Sequence, residues 1–151
     1  MSKVLIKKLN PLVELPTYKT DGASGMDLMA FIKEPITLRP KCSCLVPTGI
    51  SLAFSSKFEI QIRPRSGLAA KNNISVLNTP GTIDSDYRGE LKIILFNHGN
   101  NNFLINNKDR IAQMILTPVI KMDFEETDER MVLVQQENEH KIEQERNRKI
   151  F

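Results

Sequence analysis

Residues 58–64 read "FEIQIRP" and give the clearest indication of the fold. Phe58, Ile60 and Ile62 would lie on one side of an extended chain, and the polar residues between them on the other. Short apolar runs separated by Pro, Gly, Asn and Asp recur along the sequence: "KVLIKKL", "ITLRP", "CLVPTGISLAF", "ISVLN", "LKIILFNHG", "FLINN" and "RIAQMILTPVI". Many short strands joined by turn residues predict an all-β sandwich or barrel.

One short helix is expected at residues 66–72, "SGLAAKN", with Ser66 as its N-cap. The composition changes after Phe124, because residues 125–151 are rich in charge and contain no Gly or Pro. We therefore expect a β domain at 1–124 and a divergent tail at 125–151. The tail is expected to be mobile, or to form a fraying helix around residues 135–149.

The composition restricts the partners of the protein. A chain of 151 residues suits one domain with its own core. The net charge of +3 is too small to indicate a nucleic-acid partner. No apolar run approaches the length of a membrane span, and the N-terminus lacks a signal-peptide core. A cytoplasmic protein without a membrane partner is expected.

The cysteines and histidines are not expected to hold a metal. Cys42 and Cys44 form a lone C-x-C, which cannot complete a zinc site and would make a strained bridge, so we expect two reduced strand thiols. His98 and His140 are expected to be a loop residue and a tail residue without a ligand role.

Two segments combine small residues with polar ones before residue 72. In "GASGMDLMA", Gly22 and Gly25 allow close approach of backbone, and Asp27 could simply accept backbone N–H groups. In "RPRSGLAAK", the Arg65 guanidinium, the Ser66 hydroxyl and the free N–H groups of a helix start would suit a phosphate. The alternative for this second segment is a capped helix with exposed arginines.

Each of two further segments could be either an exposed surface segment or part of a functional site. "NTPGTIDSDYRGEL", at 78–91, is either a charged surface hairpin or a hairpin in which a carboxylate does chemistry. In "KDRIAQMIL", Gln113 is the polar residue of an apolar strand, and it either points outward or hydrogen-bonds a ligand.

The order and spacing of "SGMDLMA", "RPRSGLAAK", "GTIDSDYRGEL" and "DRIAQMIL" resemble the first four motifs of the homotrimeric deoxyuridine triphosphatases (dUTPases), over residues 4–124. The resemblance implies a jelly-roll protomer and a homotrimer with three active sites. It implies hydrolysis of dUTP to dUMP and pyrophosphate by attack of water on the α-phosphorus, with Mg²⁺ bridging the triphosphate oxygens. Such an activity limits uracil incorporation into DNA and supplies dUMP for dTMP synthesis.

The resemblance assigns the third motif to the nucleoside and the attacking water. Asp84 matches the carboxylate that positions and activates the water. Tyr87 matches the aromatic residue under the deoxyribose, whose ring excludes a 2′-hydroxyl. Asn78 matches the base of the uracil pocket. The turn that would read the uracil edge is formed by Gly81, Thr82 and Ile83.

The remaining polar residues of this hairpin are expected to be structural. By resemblance, Asp86 would pair with a nearby arginine or with backbone. Arg88 and Glu90 would make contacts within the hairpin or between subunits.

The other three motifs would serve the phosphates and the metal. Arg65, Ser66 and Gly67 match the phosphate-binding motif, in which Ser66 would bond the oxygen bridging the α- and β-phosphorus as charge develops there. Gln113 matches a residue near the phosphates. Asp27 matches a carboxylate that holds Mg²⁺ through water or supports the catalytic Asp, since Mg²⁺ on phosphates keeps several waters.

The chain departs from the family at the fifth motif, a glycine-rich C-terminal arm of the form RGxGGFGSTG. After "TDER" it reads "MVLVQQENEHKIEQERNRKIF", in which Arg146 and Phe151 share only the spacing of the motif. A shifted reading frame starting in the Met131 codon can spell G-F-G-S-T-G-K-stop. We interpret the tail as a frameshifted arm, which the coding DNA tests. Turnover should fall while uracil binding survives.

Two alternatives to a dUTPase remain open. One is a deoxycytidine triphosphate deaminase of the same superfamily, which would release ammonia from dCTP. The other is a non-catalytic dUTP-binding or regulatory trimer, in which the altered tail is an interaction segment.

Overall fold

The structure is a computed structural model that describes residues 2–128 and residue 130. These residues contain eleven strands and one helix. The strands are β1 Leu5–Lys8, β2 Met26–Met29, β3 Ile36–Leu38, β4 Ser43–Pro47, β5 Ile50–Ala53, β6 Phe58–Arg63, β7 Ile74–Val76, β8 Gly81–Ile83, β9 Lys92–Asn97, β10 Phe103–Ile105 and β11 Arg110–Pro118, and the helix is α1 Ser66–Asn72. The prediction of an all-β chain with one short helix is confirmed.

The strands form antiparallel sheets with a shared apolar core. The largest sheet has the order β2-β11-β6-β8, and a second has the order β4-β9-β7. Two-stranded pairs, β1-β5 and β10-β3, complete the unit. On β6, Ile60 and Ile62 are buried while Arg63 is exposed, so the alternation in "FEIQIRP" orients this strand as expected.

Polar groups enter the core at the end of β9. Asn97 is fully buried. Its amide nitrogen donates to the carbonyl oxygens of Leu38 at 3.0 Å and Asn101 at 2.8 Å, and its side-chain oxygen accepts from the Gly99 N–H at 2.9 Å. Because every polar group of this side chain is satisfied, its burial is tolerated.

Helix α1 has the predicted bounds but a different cap. Arg65, with extended backbone, is the N-cap, and no side chain caps the helix. The prediction of Ser66 as the N-cap is wrong: Ser66 is already the first helical residue, so its hydroxyl is not used on the helix. At the other end, the N–H of Asn73, in the left-handed conformation, donates to the carbonyls of Leu68 and Ala69.

The chain divides into two compact units, Met1–Ile120 and Lys121–Phe151. Within the second unit, residues 121–128 and 130 form neither helix nor strand. The helix expected around residues 135–149 and the tail from Met131 lie outside the described residues. No helix among the described residues is long and apolar enough to cross a membrane.

Candidate active site

One carboxylate lies between two guanidinium groups at the surface of the large sheet. Arg65 Nε is 3.0 Å from Asp27 Oδ1, and Arg110 Nη1 is 3.6 Å from Asp27 Oδ2. Arg65 Nη1 also donates to the Arg110 carbonyl at 3.4 Å. We call these three residues the Asp27 cluster. Two arginines on one aspartate leave the cluster with a net positive charge, which suits an anionic ligand.

An irregularity in β11 puts this cluster on one face. Gln113 lies opposite Asp27 and Arg110 opposite Met29, with a register shift between Arg110 and Ala112. Residues directly opposite each other share a face, whereas strand positions three apart normally do not. The extra residue reverses the alternation, so Arg110 and Gln113 both join Asp27.

Gln113 is held by the loop that precedes α1. Its Nε2 donates to the Pro64 carbonyl at 2.9 Å. A Cβ at Gly25 would lie 2.8 Å from Gln113 Oε1, so the missing side chain of Gly25 makes room for this amide. No donor among the described residues reaches Oε1. Gln113 therefore ties the Arg65 loop to β11 and presents a free acceptor.

The glycines of the first motif differ in their surroundings. The expected close approach of backbone is wrong for Gly22, because nothing lies within 4 Å of its Cβ position. It holds for Gly25, whose Cβ would also lie 3.2 Å from the Met114 carbonyl oxygen. The Asp27 carboxylate accepts from arginines and not from the backbone N–H groups of the simpler interpretation.

The third motif begins on the edge strand β8, which pairs with β6, whereas the following strand β9 belongs to the β4-β9-β7 sheet. Residues 78–91 are therefore not the expected two-stranded hairpin, and we call them the hairpin segment. Gly81 pairs with Ile62 of β6, and a Cβ at Gly81 would lie 3.3 Å from the Asn78 amide nitrogen. The strand ends at Ile83, and the Tyr87 N–H closes the next turn on the Asp84 carbonyl at 3.1 Å. The Asp84 carboxylate is exposed and has no hydrogen-bond or ion-pair partner among residues 2–128.

Tyr87 is fixed along the hairpin segment. Its hydroxyl donates to the Glu90 carbonyl at 2.9 Å, and its side chain is 44% exposed. Glu90 Oε2 accepts from the Gly49 N–H at 3.1 Å, which ties the hairpin segment to the turn between β4 and β5. The tyrosine therefore has one edge anchored and part of its surface open.

The remaining polar residues of the hairpin segment follow the expectation only in part. Arg88 Nη1 donates to the Ser85 carbonyl at 2.6 Å, a contact within the hairpin segment as expected. Asp86 has no hydrogen bond or ion pair within the described part of the chain, so the expected pairing with an arginine or with backbone is not found there. The turn exposes Asp86 to solvent, and Arg88 bonds carbonyl oxygens instead.

The predicted site residues fall into two groups. Asp27, Arg65 and Gln113 lie together, and Ser66 and Gly67 follow Arg65 directly at the start of α1. The second group lies on the hairpin segment, with Asn78, then Gly81, Thr82 and Ile83, which form strand β8 and not the expected turn, and then Asp84 and Tyr87. No hydrogen bond or ion pair joins the two groups within residues 2–128. Their roles stay predictions.

Sequence reasoning gave no role to Arg110, the third member of the Asp27 cluster. The only local signal is its position directly before an apolar strand. Its contact with Asp27 depends on the irregularity in β11, which no pattern of residue types in the sequence predicts.

Cysteines and histidines behave as surface and strand residues. Cys42 and Cys44 are free thiols, with Cys44 in β4 and Cys42 just before it. Burial raises the pKa of the Cys44 thiol. His98 Nε2 lies 2.7 Å from Ser75 Oγ, with its ring beside Phe96. His140 lies outside the described residues, among which no group of three potential metal-binding side chains occurs.

The family model for dUTPase matches residues 12–141 of this chain. The chain belongs to the dUTPase family. A deoxyuridine 5'-triphosphate nucleotidohydrolase of Treponema denticola is 57% identical over 109 residues, covering 72% of this chain and 76% of the relative. One of Fusobacterium nucleatum is 50% identical over 130 residues, covering 85% of this chain and 89% of the relative.

Solved dUTPase structures share the fold. The dUTPase from phage phi11 of S. aureus superimposes with a TM-score of 0.77 at 17% identity, covering 85% of this chain and 98% of that one. The Staphylococcus bacteriophage 80alpha dUTPase with dUPNHPP superimposes with a TM-score of 0.78 at 18% identity, covering 87% of this chain and 91% of that one. At these identities the likeness shows the fold alone. The predictions of the dUTPase family, its jelly-roll fold and a dUTP diphosphatase enzyme are confirmed.

Proposed function

We propose that this dUTPase hydrolyses dUTP at a site built from both residue groups, with Asp84 as the base. The observation that carries this assignment is the exposed, unpaired Asp84 carboxylate on the hairpin segment of a dUTPase family chain. A carboxylate that no protein group holds is available to accept the proton of a water at the moment of attack.

The Asp27 cluster and its neighbours would bind the triphosphate. Arg65 is held through Nε, which leaves Nη2 without a hydrogen-bond partner in the described chain. The Ser66 hydroxyl is not used as a helix cap, and nothing lies within 4 Å of a Cβ at Gly67. These features leave a donor, a hydroxyl and open space side by side, which suits phosphate oxygens.

The same residues fit an indirectly held Mg²⁺. The described chain has no set of three side-chain ligands, and both Asp27 oxygens face arginines. Asp27 and Gln113, which lie opposite each other on β2 and β11, would hold a hydrated Mg²⁺ indirectly by accepting hydrogen bonds from its waters. The ion would neutralise charge on the triphosphate. A structural Mg(II) ion is described for a mutant of the phage phi11 dUTPase.

The hairpin segment would bind the nucleoside. Asn78 beside Gly81 would contact uracil together with backbone groups of Gly81, Thr82 and Ile83 on the edge strand β8. The Tyr87 ring would lie under the deoxyribose and reject a ribose by collision with its 2′-hydroxyl.

Hydrolysis then needs one water and one base. The water oxygen forms a bond to the α-phosphorus while its proton passes to the Asp84 carboxylate. The bond from the α-phosphorus to the bridging oxygen breaks, and pyrophosphate leaves with the charge on that oxygen. A hydrogen bond from the Ser66 hydroxyl to the bridging oxygen would stabilise this charge.

Within one chain no hydrogen bond or ion pair among residues 2–128 joins the two residue groups. A homotrimer would allow the hairpin segment of one subunit to meet Arg65, Ser66 and Gln113 of another. This split site is the reason to propose the trimer for this chain. A cytoplasmic location and the absence of nucleic-acid and membrane partners also stay predictions.

The missing glycine-rich arm should lower turnover. A closing segment excludes water and adds a charged partner to the γ-phosphate, and the sequence after "TDER" contains no Gly to do so. We therefore propose an active site that binds dUTP but turns it over more slowly than the relatives that carry the arm.

Release of pyrophosphate from dUTP, dCTP and UTP with Mg²⁺ tests this function. We expect release from dUTP alone, loss of about three orders of magnitude in kcat for Asp84→Asn, and retained binding of a non-hydrolysable dUTP analogue. Release of ammonia from dCTP would support the alternative of a deaminase. Binding of dUTP without turnover would support the alternative of a regulatory trimer. A rate equal to that of a dUTPase that carries the glycine-rich arm would contradict the effect of the missing arm.

A further inference from the structure

Gly89 lies directly against the ring of Tyr87. A Cβ built on Gly89 would be 2.5 Å from the Tyr87 hydroxyl oxygen, 2.7 Å from Cζ and 3.2 Å from Cε2. Real Cβ atoms essentially never approach other atoms within 3.0 Å. The outer end of the ring therefore occupies the space that any side chain at position 89 would need.

The backbone does not explain this glycine. Among the described residues, the glycine with a positive φ is Gly49, at +71°. The φ of Gly89 lies outside this left-handed range. An alanine could adopt the backbone conformation of Gly89 without strain. What Gly89 provides is space for the aromatic ring.

The hydroxyl of Tyr87 is anchored at the same place. It donates to the Glu90 carbonyl at 2.9 Å, and the Glu90 side chain is itself bonded to Gly49. The ring thus lies between a residue without a side chain and a fixed acceptor. A methyl group at position 89 would move the flexible ring rather than the backbone, and would break the bond from the hydroxyl to Glu90.

We propose that Gly89 determines sugar specificity by setting the position of the Tyr87 ring. This inference rests on the proposed function, in which that ring excludes the 2′-hydroxyl. The ring lies close to the backbone and is anchored at its hydroxyl, so it is held in one position. A ribose that collides with the ring therefore cannot displace it. A displaced ring loses its anchor and can rotate away from the 2′ position.

The test compares kcat/KM for dUTP and UTP, with Mg²⁺, in the full-length wild-type protein and in variants. We expect Gly89→Ala to lower the ratio of the two values by about tenfold, an amount typical of one misplaced group in a binding pocket. Tyr87→Phe loses only the hydroxyl that anchors the ring, so this variant should lower the ratio less. Gly22→Ala is the matched control: its Cβ would meet no atom within 4 Å, and the ratio should not change.

A second measurement reads the ring directly. The chain has two tyrosines and no tryptophan, so in a Tyr18→Phe background tyrosine fluorescence reports Tyr87 alone. Gly89→Ala should change this fluorescence as the hydroxyl leaves the Glu90 carbonyl, while thermal unfolding monitors the fold. A folded Gly89→Ala protein with an unchanged ratio and unchanged fluorescence overturns the inference and leaves the proposed function intact. A wild-type protein without preference for dUTP overturns both.

Discussion

Asp27 is the residue on which the charged part of the site depends. Its side chain is 20% exposed and holds Arg65 and Arg110 by separate oxygens. Without the carboxylate, two like charges would face each other and the Arg65 side chain would lose the bond that orients it. In the proposed site, Asp27 would act on the triphosphate through Arg65, in addition to any contact with the waters of Mg²⁺.

Replacement of Asp27 by Asn tests this role. We expect KM for dUTP to rise about tenfold, the effect of one charge-assisted hydrogen bond, with a smaller change in kcat. Glu14→Gln is the matched control, because Glu14 pairs with Lys108 at 2.8 Å where both side chains are more than half exposed, and such surface pairs contribute little. Steady-state kinetics decide the question, and equal KM values for the two variants would contradict the assignment.

At the scale of elements, α1 begins at Ser66 without using the serine hydroxyl as a cap. Arg65 takes the N-cap position with extended backbone, and the short helix has no side-chain cap. The helix ends at Asn72, and the left-handed backbone of the C-cap residue Asn73 turns the chain into β7. The helix therefore leaves the serine hydroxyl without a cap bond, as the proposed contact with a phosphate oxygen requires.

Ser66→Ala separates the two interpretations of this serine. A residue that caps a helix would lose about 1 kcal/mol of stability on this change. Since Ser66 makes no cap bond, we expect the free energy of unfolding in urea to stay within roughly 0.5 kcal/mol and kcat to fall about a hundredfold. A destabilised variant with normal kcat would show instead that the serine serves the helix.

At the scale of the whole molecule, the periodicity of the sequence predicted the strands but not which strands pair with each other in the sheets. The alternation in β6 and the bounds of α1 depend on residues close in sequence, so they could be predicted. The pair of Asp27 and Arg65 joins residues 38 positions apart and exists because β2, β11 and β6 are adjacent in the sheet. The motif resemblance named the candidate residues of the site, whereas the register shift that places Arg110 beside Asp27 could be seen only in the fold.

The division of the site into two groups leads to a prediction about assembly. If Asp84 of one subunit works with Arg65 of another, the variants Asp84→Asn and Arg65→Ala should each be nearly inactive alone yet restore activity when their subunits mix. In randomly mixed trimers, about a quarter of the sites would combine an intact Asp84 with an intact Arg65 from different chains. Co-expression of the two variants, with separately purified and unexchanged trimers as the control, measures the recovery. If both residues acted within one chain, every site would carry one defect and mixing would restore nothing.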